Sequence, residues 1–165
     1  MTSEKNPREL PDTLDTTHVD AQGAAPGESD ITQTVRVAFD PGAVAEVRQV
    51  IVADLQARGI KEETVDEAEL CASELVTNAL RHAKPLPDGS LRVFWKVKDP
   101  LVEIEVTDGG GDSKPVPAKA APWRTSGRGL RIIRSLAHEW GVNEGRHGGQ
   151  TVWVALGGPS RRRTS

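Results

Sequence analysis

The sequence predicts an α+β domain: a two-layer sandwich in which a mixed, mostly antiparallel sheet is covered on one face by three helices. Segments that alternate apolar and polar residues are interleaved with segments of helical spacing, in the order β-α-α-β-β, a long irregular stretch, then α-β-β. The chain ends on a hairpin pattern, and its 165 residues, 36% hydrophobic and 27% charged, suffice for one core.

Residues 1 to 31 are rich in Pro, Gly, Thr, Asp and Glu and follow neither helical nor strand periodicity. Such a stretch cannot bury enough surface to offset its ordering entropy, so a disordered leader is expected there, followed by a domain over 32–157. The first strand is marked by Val35, Val37 and Phe39 alternating with Arg36 and Ala38, and stops at Asp40-Pro41. Asp before Pro starts a helix, because Asp caps free amides and Pro fills the first turn without wasting a donor. Val44, Val47, Ile51 and Leu55 form the inward face of that helix, which runs to Gly59.

A second helix is predicted from Lys61 or Glu62 to about Ala83, with Val65, Ala68, Ala72, Leu75 and Ala79 as its buried stripe. Two strands follow. Leu91, Val93, Trp95 and Val97 face one way in the first, and Val102, Ile104 and Val106 in the second, after Asp99-Pro100. From Asp108 to Ser126 the chain reads DGGGDSKPVPAKAAPWRTS, about 19 residues without periodicity, a length typical of lids and binding loops. A third helix is expected from about Gly129 to Trp140, with Leu130, Ile133, Leu136, Ala137 and Trp140 inward. The closing hairpin runs from Val142 to Glu144, through the turn GRHGG, to Gln150 to Leu156. Trp95, Trp140 and Trp153 are expected buried or half-buried, and Trp123 lies in the lid. Residues 158–165, with Arg161 to Arg163, read as a flexible basic tail.

Bulk properties exclude several functions. A net charge of -3 gives no general pull toward nucleic acid, so direct nucleic-acid binding is not expected. Cys71 is the only cysteine, which excludes an intramolecular disulfide framework and a thiol cluster for zinc and fits a reducing cytosol. No apolar run approaches the roughly 20 residues that cross a bilayer, and MTSEKNPREL lacks the apolar region of a signal peptide. A cytoplasmic protein without membrane contact is the expectation.

Three constellations carry chemistry. In SELVTNALRH, Glu74, Asn78 and His82 recur every fourth residue along the boundary of the second helix's apolar stripe. That spacing fits a surface hydrogen-bonded pair with a C-terminal histidine on the helix dipole. It also admits an Asn oxygen on a hard cation with a Glu base beside it, since Mg²⁺ takes few protein oxygens and keeps several waters. In VTDGGGD, residues 106 to 112, a strand runs into glycines. Asp108 there could accept a hydrogen bond from an exocyclic amine while the glycines admit a flat ring, or the run could be a plain turn. In SGRGLRII, residues 126 to 133, glycines lead into a helix, either as a phosphate site or as an ordinary capped start. Neither a Rossmann fingerprint nor a P-loop is present.

In this order the three segments resemble the boxes of the GHKL ATPase superfamily, which includes the ATPase domains of gyrase, heat-shock chaperones and histidine kinases. ELVTNALRH resembles the N box, DGGG the first glycine box and SGRGL the second. ELCASELVTNALRHA, GRGLRIIRSLAHEWGV and GGQTVWVAL are most similar to the anti-sigma factor serine/threonine kinases of bacteria, over roughly residues 33 to 157. The resemblance implies a histidine-kinase-like ATPase fold that uses ATP and Mg²⁺, with Asn78 on the metal and Glu74 as general base. It implies Asp108 on the adenine amine, Gly110, Gly127, Gly129 and Leu130 shaping pocket and lid, and His82 and Arg128 near the phosphates. It also implies a sigma factor and an anti-anti-sigma protein as partners, and homodimers among relatives. No phosphoacceptor histidine region or dimerisation hairpin accompanies the boxes, which excludes a complete sensor kinase. The first glycine box is followed by Asp112-Ser113-Lys114-Pro115, where many relatives have another glycine turn. That departure keeps open a regulator that binds nucleotide or partner without transfer; a free-standing ATPase domain working in trans with a sensor or GTPase module is a further alternative.

Overall fold

A computed structural model describes residues 30–111, 129–145 and 148–158. Residues 1–29 of the leader, the lid from residue 112 onward with Trp123, Gly127 and Arg128, and residues 159–165 of the basic tail lie outside the described residues, while Ile31, expected in the leader, already opens the first strand. The described elements are β1 (Ile31–Ala38), α1 (Gly42–Ala57), α2 (Glu62–His82), β2 (Ser90–Lys98), β3 (Leu101–Asp108), α3 (Gly129–Leu136), β4 (Glu139–Glu144) and β5 (Gln150–Leu156). The strands form one sheet in the order β1-β2-β3-β5-β4, and every pairing is antiparallel.

The sheet is two-faced, as the alternation demands. Leu91, Val93, Trp95 and Val97 on β2, Val102, Ile104 and Val106 on β3, and Val152, Val154 and Leu156 on β5 are buried. They join Val47, Ile51 and Leu55 of α1, the stripe of α2, and Ile133 of α3 in one core. The intervening strand residues are half-buried or exposed. At roughly 25 cal/mol per Å² of apolar surface, this single core dominates the folding free energy.

Local chemistry sets the element ends. Asp40 Oδ1 accepts the Gly42 amide at 2.8 Å, meeting one free amide at the start of α1, although the cap position itself is taken by Pro41, one residue later than the Asp-Pro pair predicts. Gly59, at φ 72°, takes the left-handed turn that stops the helix. Within α1 the deepest row is Ala43, Val47, Ile51 and Leu55, while Val44, expected inward, is only half-buried beside it. The buried stripe of α2 comprises the five residues read from spacing together with Thr64, Cys71 and Val76. Glu62 and Glu63 in its first turn and Arg81 and His82 in its last complement the helix dipole. Trp95 Nε1 donates to Asp54 Oδ2 at 2.8 Å, and Arg58 Nε donates to the same oxygen at 2.8 Å, tying β2 to α1.

The third helix corrects one expectation. Helix α3 ends at Leu136, and Trp140 lies in β4 opposite Val154. Its place four residues after Leu136 and seven after Ile133 mimics one more helical turn, but the backbone of 139–144 gains a full ladder with β5. His138 donates to the Ala155 carbonyl at 2.8 Å as the chain turns onto the sheet. The Trp140 ring still serves the core face, half-buried, with the Arg134 guanidinium 5.8 Å above it. Trp95 is buried and Trp153 half-buried, as expected.

Candidate functional site

The candidate site is assembled from two elements that the fold lays against each other, α2 and the C-terminal end of β3. Along α2 the apolar stripe is pinned to the core, so the neighbouring row sits at its rim. Glu74 and Asn78 are half-buried there, and His82, the last helical residue, is exposed. Cys71, on the buried side, is no candidate nucleophile: burial first, then the Glu67 and Glu74 carboxylates, push its thiol up to about 12.

On β3 the period of two places Asp108 on the same face as Val102, Ile104 and Val106, looking toward the helices. It is 3% exposed, and with Thr64 it is one of two buried polar residues among those described. Burial pushes its carboxyl up to about 6, although the Gly110 amide, donating to Oδ1 at 2.7 Å, pulls the other way. A carboxyl group held in the core with one oxygen committed to its own loop leaves the second for a ligand donor. An ordinary turn has no need of a buried acid.

The glycines after Asp108 are fixed by close approach. Gly110 sits at φ 87°, and a Cβ there would come within 2.1 Å of the Gly148 carbonyl in the β4–β5 turn. A Cβ on Gly109 would meet the Pro85 carbonyl at 2.0 Å. Reciprocal backbone bonds join the same segments: Gly109 N–H donates to Lys84 O, and Lys84 N–H donates to Gly110 O, each at 2.8 Å. Lys84, Pro85, Gly109 and Gly148 thus belong to the site's frame, and sequence reasoning missed all four in that role. The consecutive glycines at 109–111 and 148–149 were the available signal.

Gly129 opens α3 at the predicted point, and α3 rests against α2. Gly127 and Arg128 lie outside the described residues, as does the side chain of Leu130. Among the described residues no cluster of three His, Cys, Asp or Glu could hold a metal by itself. A cation bound here would draw most of its ligands from water and from the bound molecule, with the Asn78 amide oxygen as protein ligand, a donor set that suits Mg²⁺. Nor is any described helix long and apolar enough to cross a membrane.

No curated protein matches the chain. Among solved structures, it is similar to the RsbU and RsbW domains of Rv1364c from Mycobacterium tuberculosis, at 23% identity and a TM-score of 0.58. That similarity covers 81% of this chain and 35% of the other, so the match spans about a third of that solved chain. A family model for the histidine kinase-like ATPase domain matches residues 37–156, from β1 through the last strand. With that match over most of its length, and with the antiparallel sheet, three helices and strand-end Asp in place, the chain belongs to the histidine kinase-like ATPase domain family.

Proposed function

We propose that the protein binds ATP with Mg²⁺ and transfers the γ-phosphoryl group to a Ser or Thr of an anti-anti-sigma protein, and that it sequesters a sigma factor. The observation that carries the nucleotide reading is Asp108, a carboxylate buried at a strand end beneath the helix that bears Glu74 and Asn78. In this reading Asp108 accepts a hydrogen bond from the adenine amine, and the backbone after it, lacking Cβ atoms, leaves room for the ring. Asn78 would hold Mg²⁺, which when bound would supply charge neutralisation for the phosphates. Gly110 shapes the base pocket, and Gly127, Arg128, Gly129 and Leu130 border the phosphates, with His82 near them.

Phosphoryl transfer depends mainly on positioning and charge neutralisation. Glu74 accepts the proton of the acceptor hydroxyl as its oxygen bonds to the γ-phosphorus, and the bond from that phosphorus to the β,γ-bridging oxygen breaks, releasing ADP. The partner assignment is supported by the similarity to a structure containing an RsbW domain and by the motif resemblance. Soluble residence in the cytoplasm belongs to the same proposal.

The test is transfer from radiolabelled ATP to an anti-anti-sigma protein of the same organism. Glu74→Ala is expected to lower transfer at least ~100-fold, the scale of a lost general base, while ATP still binds. Unchanged transfer in both Glu74→Ala and Asn78→Ala defeats the kinase mechanism. A second reading, a nucleotide-dependent regulator without transfer, is favoured by Asp112 in place of a glycine after the first box. ATP binding by calorimetry, with no transfer to any partner, would establish it.

A further inference from the structure

We infer that Gly109 is a positioning residue that locks Asp108 to the C-terminal end of α2, so that the base-reading carboxylate and the helix carrying Glu74 and Asn78 form one rigid unit. The inference rests on the reading of Asp108 as the group that meets the adenine amine. It is carried by backbone geometry alone.

The two halves of the site meet where α2 runs out. Ala83 donates to the Ala79 carbonyl at 2.9 Å and leaves the helix in an extended conformation. The next residue, Lys84, exchanges two backbone hydrogen bonds with Gly109 and Gly110, each at 2.8 Å. This pair of bonds sits between Asp108 and the last turn of α2. Such a reciprocal pair can form only if the two backbones come close, and at Gly109 they come too close to admit a Cβ. A Cβ on Gly109 would lie 2.0 Å from Pro85 O, 2.8 Å from Pro85 C and 3.1 Å from Lys84 O, all backbone atoms that no rotamer change can move. On the other side a Cβ on Gly149 would come within 3.0 Å of the Asp108 carbonyl. Asp108 is therefore gripped between the α2–β2 connection and the β4–β5 turn, with Gly109 as the point of tightest approach.

Any side chain at position 109 must push the Lys84-Pro85 segment away and break the reciprocal bonds. The carboxylate then loses its fixed distance from α2, whereas the rim residues on α2 keep their places on a helix held by its own core stripe. The defect should appear in recognition of the base and spare the cation dependence. A general loss of folding would affect both alike.

The experiment compares ATP with inosine triphosphate, which carries an oxo group in place of the exocyclic amine, by calorimetry on the full chain. A site built to pair with that amine should prefer ATP by at least ~10-fold in the unsubstituted protein. In Gly109→Ala that preference is expected to fall below ~3-fold, while the residual binding still strengthens with Mg²⁺. A folded Gly109→Ala protein that keeps the full preference overturns the inference. An unsubstituted protein that binds ATP without preferring it overturns the reading of Asp108 itself, a failure seen before any variant is made. If Gly109→Ala does not fold, amide hydrogen exchange on the unsubstituted protein decides. The Lys84 and Gly109 amides, each donating across the junction, should slow by the same factor when ATP binds. Slowing at Gly109 alone overturns the lock.

Discussion

On α2, Glu74 and Asn78 occupy half-buried rim positions that follow from the helix period; at the end of β3, Asp108 is buried and its neighbours touch other segments through backbone atoms. The two regions face the same candidate site and are held by different means. The helical half is anchored by side chains packed into the core, so its polar residues are replaceable without disturbing the helix. The strand half is anchored by glycine contacts around a buried acid, so chemistry and architecture coincide there. Affinity and specificity should accordingly be concentrated at β3, and catalytic chemistry on α2.

The strongest challenge to that comparison is Asp108→Ala. ATP affinity should fall by at least ~100-fold, the cost of leaving a charge-assisted hydrogen bond unmade in a dry site. A decrease under threefold by calorimetry would mean that β3 does not read the ligand.

A subtler effect concerns pH. The folded-state carboxyl of Asp108 is raised from 3.8 to about 6, so the folded protein holds a proton that the unfolded chain releases between those values. The favourable contribution of the protonated form is complete below the unfolded value and is lost as pH rises to about 6. Considered alone, this group should make the protein less stable at pH 7 than at pH 4 by on the order of 2 to 3 kcal/mol. Other carboxylates titrate in the same window, so the measurement is the difference between the unsubstituted protein and Asp108→Asn in urea melts. That difference should grow as pH rises, and a flat one contradicts the burial argument.

The smallest effect is expected on the helix rim. Glu74→Ala and Asn78→Ala should each leave thermal stability within ~0.5 kcal/mol, as surface-like substitutions do. Asn78→Ala should nevertheless remove most of the Mg²⁺ dependence of nucleotide binding. A loss of more than ~2 kcal/mol in either variant would show that the rim is part of the core frame, and the contrast between the two halves would collapse.

The elements were legible in the sequence wherever a single periodicity ruled. The alternation of β2 and β3 gave the buried face residue by residue, and the 3, 4, 3, 4 spacing of α2 gave both its stripe and its rim. The segment from Gly129 to Trp140 was misread at its end because an apolar spacing near 3.6 also fits a short helix followed by a strand. Pairing of 139–144 with β5 decided between them, and that pairing is a long-range contact. In the candidate site, the boxes pointed to Asp108, Asn78 and Glu74, but Lys84 and Pro85 carry no local signature of their place in the frame. Their part is played by main-chain atoms, which are the same in every residue.

By itself the sequence determined the order of elements, the core faces of the strands, the rim row on α2 and the presence of an acid at the end of β3. These follow from local spacing, because burying one face of an element requires apolar residues at its own period. The tertiary structure alone decided that Asp108 is buried, that Gly109 and Gly110 are wedged against Pro85 and Gly148, and that α2 and β3 are joined through Lys84. Those facts depend on how closely separate backbones approach, a distance set by the packing of the whole core.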